Sequence, residues 1–267
     1  MSAKDYRELA ESAARRAGEC LLNAYAADAG VISESGKDIK TEADRAAETI
    51  ILDALRPTGL SILSEESGVV QESGGRSRGA THNHFTIQPL NLTTASWIID
   101  PLDGTFNFTR GFPMCCVSIA LWNGMEPVLG VIYDFITDKM YSGSVGEGAF
   151  CNSGPISVSS IGDFSQAALA TGFPSARDYS DATLSESIRS VQKFKKIRMI
   201  GSAASSLAHV AAGHLDAYME EDIWLWDVAA GLALVQAAGG DFTLSEIKDT
   251  WQLDVWASNG LLRGDSE

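Results

Sequence analysis

Trp97-Ile98-Ile99-Asp100-Pro101-Leu102-Asp103-Gly104-Thr105 is the stretch on which the reading of this sequence turns. Three apolar residues read as a strand that delivers Asp100 at its end. Pro101 fixes φ and predicts a turn directly after the strand, which would bring Asp100 and Asp103 to one side and expose the Leu102 carbonyl. Gly104 permits close backbone approach. A helical turn starting near Thr105 would present free N–H groups suited to a phosphate.

Working outward, other carboxylates sit at comparable places. Glu65 and Glu66 follow the apolar run Leu60 to Leu63, Asp227 follows Trp226 at an expected helix start, and Asp44 lies at the start of another helix. Each has a plainer reading taken singly. Glu65-Glu66 suits a solvated loop, Asp103-Gly104 is a common turn, and Asp227 and Asp44 suit helix caps. Together, with two of the acidic sites directly behind apolar strands, they point to a divalent-metal site and to phosphoryl chemistry. Mg²⁺ takes hard oxygen ligands and keeps several waters.

Composition narrows the classes. The chain has 267 residues, 45% hydrophobic and 21% charged, as expected of a globular protein with a sizeable core. The net charge of −15 and the lack of a dense Lys/Arg block argue against a nucleic-acid polymer as partner. Lys193, Lys195, Lys196 and Arg198 read as a solvated helix end and strand start. An acidic protein handling an anion needs cations to reverse the local field, which bound metal would do. No apolar run approaches the roughly 18 residues of a membrane span, and the polar start Met1 to Glu8 lacks a signal-peptide core. The expectation is a cytoplasmic protein without membrane contact, its cysteines Cys20, Cys115, Cys116 and Cys151 free thiols.

Periodicity predicts a first helix with Tyr6, Leu9, Ala10, Ala13, Ala17, Cys20 and Leu21 on one face. A second begins at Thr41 to Asp44 with Ala43, Ala46, Ala47, Ile50, Ile51 and Ala54 inward, ended by Pro57 and Gly59. Residues 67–95 read as a long loop. Strands are expected at 117–122, 128–133 and 139–142, with a turn at Asn123-Gly124. Further on, strands at 167–170, 197–200 and 217–219 alternate with helices at about 181–193, 202–212 and 227–238. The expected organisation is an N-terminal α+β lobe over 1–150 with most of the acidic site, and a C-terminal α/β lobe over 151–267 with Asp227, working as one unit.

The stretch from Trp97 to Phe108, followed by Gly111-Phe112-Pro113, resembles the first signature of the inositol monophosphatase family. Trp226-Asp227-Val228-Ala229-Ala230-Gly231, continuing to Gly239-Gly240, resembles its second. Ser64-Glu65-Glu66-Ser67 is similar to the family's Gly-Glu-Glu-Ser element, with Ser64 in place of Gly. Asp38 to Asp44, Gly201 to Ala204 and Gly213 to Tyr218 complete the order, so the likeness spans roughly residues 5 to 262.

The resemblance implies a layered α-β-α-β-α sandwich of the inositol monophosphatase and fructose-1,6-bisphosphatase type, a homodimer, two to three Mg²⁺ ions and lithium sensitivity. It assigns Glu65, Asp100 and the Leu102 carbonyl to one ion, and Asp100, Asp103 and Asp227 to a second. A third, weaker ion would sit near Glu65. Thr105 and Asp44 match the pair that orients and deprotonates the attacking water, with Gly104 and Thr105 beside the phosphate. Gly201, Ser202 and Ala203 match the substrate wall, and Glu220, seven residues before Asp227, matches a carboxylate that binds substrate hydroxyls.

The implied activity is Mg²⁺-dependent hydrolysis of a phosphate monoester, foremost inositol 1-phosphate. Asn107-Phe108 and Thr171-Gly172-Phe173-Pro174 suit that branch of the family. Histidinol phosphate, a sugar phosphate or 3′-phosphoadenosine 5′-phosphate are alternatives on the same scaffold, and a non-catalytic metal-binding regulator is the reading from another class. The sequence departs from the family's pattern in the length between Glu66 and Trp97, which holds Arg76, Arg78, His82 and His84, and in Trp224 and Trp226 near the expected substrate wall.

Overall fold

In the computed structural model, which describes residues 1–26, 31–35, 38–71, 94–173 and 180–264, two β-sheets stack through a layer of helices. The chain opens with α1 (Ala3–Ala26), a hairpin of β1 (Val31–Ser35) and β2 (Asp38–Thr41), and α2 (Glu42–Leu55). β3 (Ser61–Ser64), β4 (Gly68–Gln71), β5 (Ala95–Asp103), the short α3 (Thr105–Thr109), β6 (Cys116–Asn123) and β7 (Glu126–Asp134) follow. β8 (Lys139–Ser144), β9 (Gly148–Cys151) and β10 (Gly154–Ile156) complete the first sheet, in the order β10-β9-β8-β7-β6-β5-β3-β4. Only β3 and β5 run parallel within it.

The second sheet is built from β11 (Ala168–Thr171), β12 (Lys196–Arg198), β13 (Ala217–Trp224), β14 (Asp241–Leu244) and β15 (Gln252–Ser258), in the order β12-β11-β13-β15-β14. Its helices are α4 (Asp181–Val191), α5 (Ala203–Ala211) and α6 (Leu225–Ala237). Alternation along the first sheet sorts its side chains onto two faces. Trp97, Ile99, Val117, Ile119, Leu121 and Val131 pack against α1 and α2. Ile98, Cys116, Ala120, Trp122 and Ile132 face α5 and α6, whose other side meets Ala170, Tyr218, Leu253 and Val255 of the second sheet. The outer face of that sheet is covered through Phe194 and Val191, at the end of α4. The layers therefore read α-β-α-β-α.

α6 lies very close to the first sheet. A Cβ on Gly130 of β7 would stand 2.1 Å from the Ala230 carbonyl oxygen, so only glycine admits the helix there. Trp122 Nε1 donates to the Ala229 carbonyl at 3.1 Å across the same contact. α6 buries Leu225, Val228, Leu232, Leu234 and Val235 almost completely. Each such side chain contributes roughly 1.5–3 kcal/mol of transfer free energy, which fixes the height at which α6 presents its first turn.

Several expectations need correction. The strand does not end at Ile99 but runs through Pro101 to Asp103. Pairing with β6 shifts from Asp100 opposite Ser118 to Asp103 opposite Cys116, so β5 carries one extra residue there. Pro101 has no N–H for the ladder, and a bulge tolerates that loss. In α2, Ala46 is exposed, whereas Asp44 and Glu48 are buried beside Ala43, Ala47 and Ile51. Both acids are satisfied by hydrogen bonds, and that makes their burial tolerable. The expected loop at 67–95 contains β4, and residues 72–93, with Arg76, Arg78, His82 and His84, lie outside the described residues. The strands β9, β10, β14 and β15 were not foreseen: β9 and β10 are short, and β14 lacks an apolar run. The four cysteines are free, as expected. Among the described residues, no helix is long and apolar enough to cross a membrane.

Candidate active site

The bulge in β5 shapes the site. In a regular strand, residues three apart point to opposite faces. The extra residue between Asp100 and Asp103 restores a common side, the one facing α5 and α6. Asp100 is buried, and its Oδ1 accepts the Leu102 N–H at 3.0 Å. On the parallel neighbour, the Glu65 N–H donates to the Ile99 carbonyl at 3.2 Å, which sets Glu65 beside Asp100, and the two carboxyls share a hydrogen bond.

Asp103 is held from the opposite side. Its Oδ2 accepts Ser202 Oγ at 2.6 Å and the Ala204 N–H at 2.7 Å, at the first turn of α5. Burial pushes the Asp103 carboxyl up to about 6, while Ser202 and the amides of Ala203, Ala204 and Ser205 pull it back. Asp227 lies in the first turn of α6 and is half-buried. It does not cap that helix with its own start residue, because the N-cap is Trp224, whose backbone N–H instead bonds the Asp227 carboxylate.

These acids act on one another. Burial raises Asp100 well above the usual carboxylate range, and the charges of Glu65, Asp103 and Asp227 raise it further. Burial does the same to Asp227, with Glu65, Asp103 and Glu220 adding to the rise. Four hard oxygen donors that repel one another at the edge of a core are the donor set of a divalent cation. Ser118, opposite Asp100 in register, is buried with its hydroxyl lacking a hydrogen-bond partner among the described residues, a further oxygen in the same wall. Among the described residues, no group of three or more His, Cys, Asp or Glu side chains is arranged as a metal-holding cluster. Mg²⁺ does not require one, since it binds through one or two carboxylates and keeps water in its remaining positions. The residues therefore fit the ion.

Beside the acids lies a second polar pair. Asp44 sits at the third position of α2 in a capping box with Thr41, whose N–H donates to Asp44 Oδ2 at 2.8 Å. The Thr41 hydroxyl bonds the same oxygen. The other oxygen, Oδ1, accepts Thr105 Oγ1 at 3.1 Å, and the same hydroxyl stands 3.0 Å from the Leu102 carbonyl oxygen. Burial raises Asp44, and the Thr41 and Thr105 hydrogen bonds counter it. Thr105 is placed by Gly104, which adopts φ +87 while packed 2.7 Å from the Met114 carbonyl at its would-be Cβ. That left-handed backbone, as much as close approach, requires glycine.

The expected substrate wall divides. Ser202 and Ala203 are buried at the start of α5, and Ser202 is committed to Asp103. Gly201 is exposed, and its carbonyl accepts Asn107 Nδ2 at 3.2 Å. Glu220 is half-buried on β13, where its Oε2 accepts the Tyr218 hydroxyl at 2.7 Å, and it is near enough to Asp227 to raise it. A Cβ on Gly172 would stand 2.5 Å from the Glu220 carboxylate. Pro174 lies outside the described residues.

Four residues with clear places here were given no role in the site by the reading of the sequence. Asn107 ties α3 to residues 200–201. Cys116 Sγ lies 3.8 Å from Asp103 Oδ2. Ser118 faces Asp100 in register, and Glu48 bonds both serines that flank Glu65-Glu66. Glu48, four residues after Asp44, could have been found from helical spacing, which places both acids on one face.

A sequence profile of the inositol monophosphatase family matches residues 3–264. The chain is 36% identical over 244 residues to inositol monophosphatase 3 of Solanum lycopersicum, covering 90% of this chain and 85% of that one. It is 38% identical over 231 residues to the Nus factor SuhB of Xylella fastidiosa, covering 85% and 78%. The crystal structure of the extragenic suppressor protein suhB from Bartonella henselae superposes with a TM-score of 0.79 at 32% identity, covering 94% of this chain and 93% of that one.

Proposed function

The chain belongs to the inositol monophosphatase family and is a phosphatase, and we propose that it hydrolyses a small polyol phosphate, inositol 1-phosphate foremost, with Mg²⁺. The observation that carries this reading is the convergence of Glu65, Asp100, Asp103 and Asp227 from β3, β5 and α6 next to the Thr105–Asp44 pair.

Glu65, Asp100, the Leu102 carbonyl, Asp103 and Asp227 would hold two Mg²⁺ ions, and a third would sit by Glu65. When bound, the ions supply charge neutralisation for the phosphate and leaving alkoxide and make water a better nucleophile near neutral pH. Thr105 Oγ1 is a weak base alone. Its bond to Asp44 Oδ1 lets it accept a proton from the attacking water while passing its own to Asp44. Asp44, buried and already raised, is suited to hold that proton. As oxygen attacks phosphorus, the bond from phosphorus to the alcohol oxygen breaks and the alcohol leaves protonated by solvent. The first amides of α3, at Gly104 and Thr105, lack intrahelical partners and would bind the equatorial oxygens. Glu220 would accept a hydrogen bond from a polyol hydroxyl, which favours an alcohol with several such groups. Gly201, Ser202 and Ala203 would border it.

The same reading carries a homodimer, inhibition by Li⁺, a cytoplasmic location, and a division of labour between residues 1–150 and 151–267. A phosphate-release panel with and without Mg²⁺ tests it. Inositol 1-phosphate is expected among the best substrates, with turnover dependent on Mg²⁺. Faster hydrolysis of histidinol phosphate, a sugar phosphate or 3′-phosphoadenosine 5′-phosphate would replace the substrate. Metal-independent turnover would remove the mechanism.

A further inference from the structure

Glu48 lies one helical turn beyond Asp44 on α2, so both acids share a buried face. It is 7% exposed, yet each of its oxygens is engaged. Oε1 accepts the Ser64 hydroxyl at 2.5 Å, and Oε2 accepts the Ser67 hydroxyl at 2.8 Å. Ser64 and Ser67 bracket Glu65-Glu66, the turn between the antiparallel strands β3 and β4. The backbone inside that bracket is fixed independently, because the Glu65 N–H bonds Ile99 just before Asp100.

A two-residue turn gripped at both flanks by one rigid carboxylate cannot shift without breaking one of these bonds. The grip is unnecessary for the hairpin itself, which already has its ladder. A buried carboxylate is costly to place, and its position here does something the hairpin does not need: it fixes where Glu65 points relative to Asp100. Ser64 stands where the Gly-Glu-Glu-Ser element has no side chain, so this chain holds the turn at two points.

We propose that Glu48 is a positioning residue for the divalent-cation site. It sets the Glu65 carboxylate against Asp100, and α2 thereby places both the proton-accepting Asp44 and the metal-side Glu65. The inference rests on the metal-dependent reading above. Partners that orient ligands typically change metal affinity about 10–100-fold when removed.

The test is Mn²⁺ binding to the purified full chain, followed by the EPR signal of the free ion, in Glu48→Gln and in the double variant Ser64→Ala/Ser67→Ala. Asp53→Asn, at an exposed position of α2, serves as control. Both test variants are expected to weaken Mn²⁺ binding about tenfold or more. Activity lost at low Mg²⁺ should recover as Mg²⁺ is raised. The double variant keeps Glu48 and guards against a folding defect in Glu48→Gln. Unchanged Mn²⁺ affinity in the double variant, whatever happens to thermal stability, overturns the proposal. Failure of the unsubstituted protein to bind Mn²⁺ at all would instead overturn the metal-dependent reading on which it stands.

Discussion

Ser202 Oγ donates to Asp103 Oδ2 at 2.6 Å across 99 residues of sequence, joining the bulged strand of the first sheet to the start of α5. The same hydroxyl accepts the Ser205 N–H at 3.2 Å as the N-cap of that helix. One side chain thus holds a buried acid and starts a helix. Ser202→Ala should lower stability by about 1 kcal/mol through the lost cap and weaken Mg²⁺ activation about tenfold by freeing Asp103. Urea denaturation and a Mg²⁺ titration of turnover measure the two effects separately. Normal Mg²⁺ dependence with reduced stability would confine Ser202 to the cap.

Asp100→Asn should separate function from folding. It removes an acid that both burial and its acidic neighbours oppose. Turnover should fall by at least about a thousandfold, given the several kcal/mol such ions supply. The melting temperature without metal should stay level or rise. Near-normal turnover would show that Asp100 holds no essential ion.

Thr105→Val and Thr105→Ser should part company. Valine keeps the volume and loses the hydroxyl that bonds Asp44 and lies beside the Leu102 carbonyl. Loss of general-base assistance costs about 10²–10⁴-fold in turnover, with little change in KM. Serine should retain most activity. Equal activity in the two variants would exclude the hydroxyl from proton transfer.

The acids predict how metal and pH trade against each other. Asp103 is pushed up to about 6, and Asp100 and Asp227 are raised well above their ordinary values. A carboxyl raised in the folded state binds its proton more tightly there than in the unfolded chain. Its stabilising contribution is complete below the unfolded value, near about pH 4, and is lost as pH rises through the folded one. Metal-free protein should therefore lose thermal stability as pH rises from about 4 through about 6. Added Mg²⁺ should restore it, and restore more at the higher pH, where protons no longer compete. Calorimetric melts with EDTA or Mg²⁺ across that interval check the slope. A metal-free melting temperature that rises across it would contradict the clustered acids.

Gly172→Ala tests the pocket from its rim. The new methyl would meet the Glu220 carboxylate at 2.5 Å and must displace it. Michaelis constants for a polyol phosphate should rise several-fold, at about 1 kcal/mol for one lost hydrogen bond. Those for a small phosphate ester without hydroxyls should not. A parallel change in both would mean that Glu220 does not contact the alcohol.

Local pattern exposed much of this protein. Alternating and 3.6-residue apolar spacing marked α1, α2 and most strands of the first sheet, because such faces must be buried wherever they end up. The acids behind Leu63 and Ile99 stood out by occurring together directly after apolar strands, although Glu65-Glu66 taken singly also suits a solvated loop. The strands β14 and β15 stayed hidden, since β15 acquires meaning only beside β13, and β14 only beside β15.

What the sequence determined by itself was the inventory, namely which acids exist, which apolar runs precede them, and a glycine and a threonine placed just behind Asp103. The tertiary structure decided their directions. Pro101 read as a turn, yet pairing with β6 made it a bulge inside a continuous strand, and the bulge turns Asp100 and Asp103 to one side. Ser202 read as substrate wall, yet the packing of α5 gave its hydroxyl to Asp103. Glu48 had no reading of its own in the sequence, and the fold gives it one by bringing Ser64 and Ser67 against it. The physical reason is common to all three. A side chain's chemistry is written in its own residue, but its direction is set by partners that only the folded chain brings within hydrogen-bonding distance.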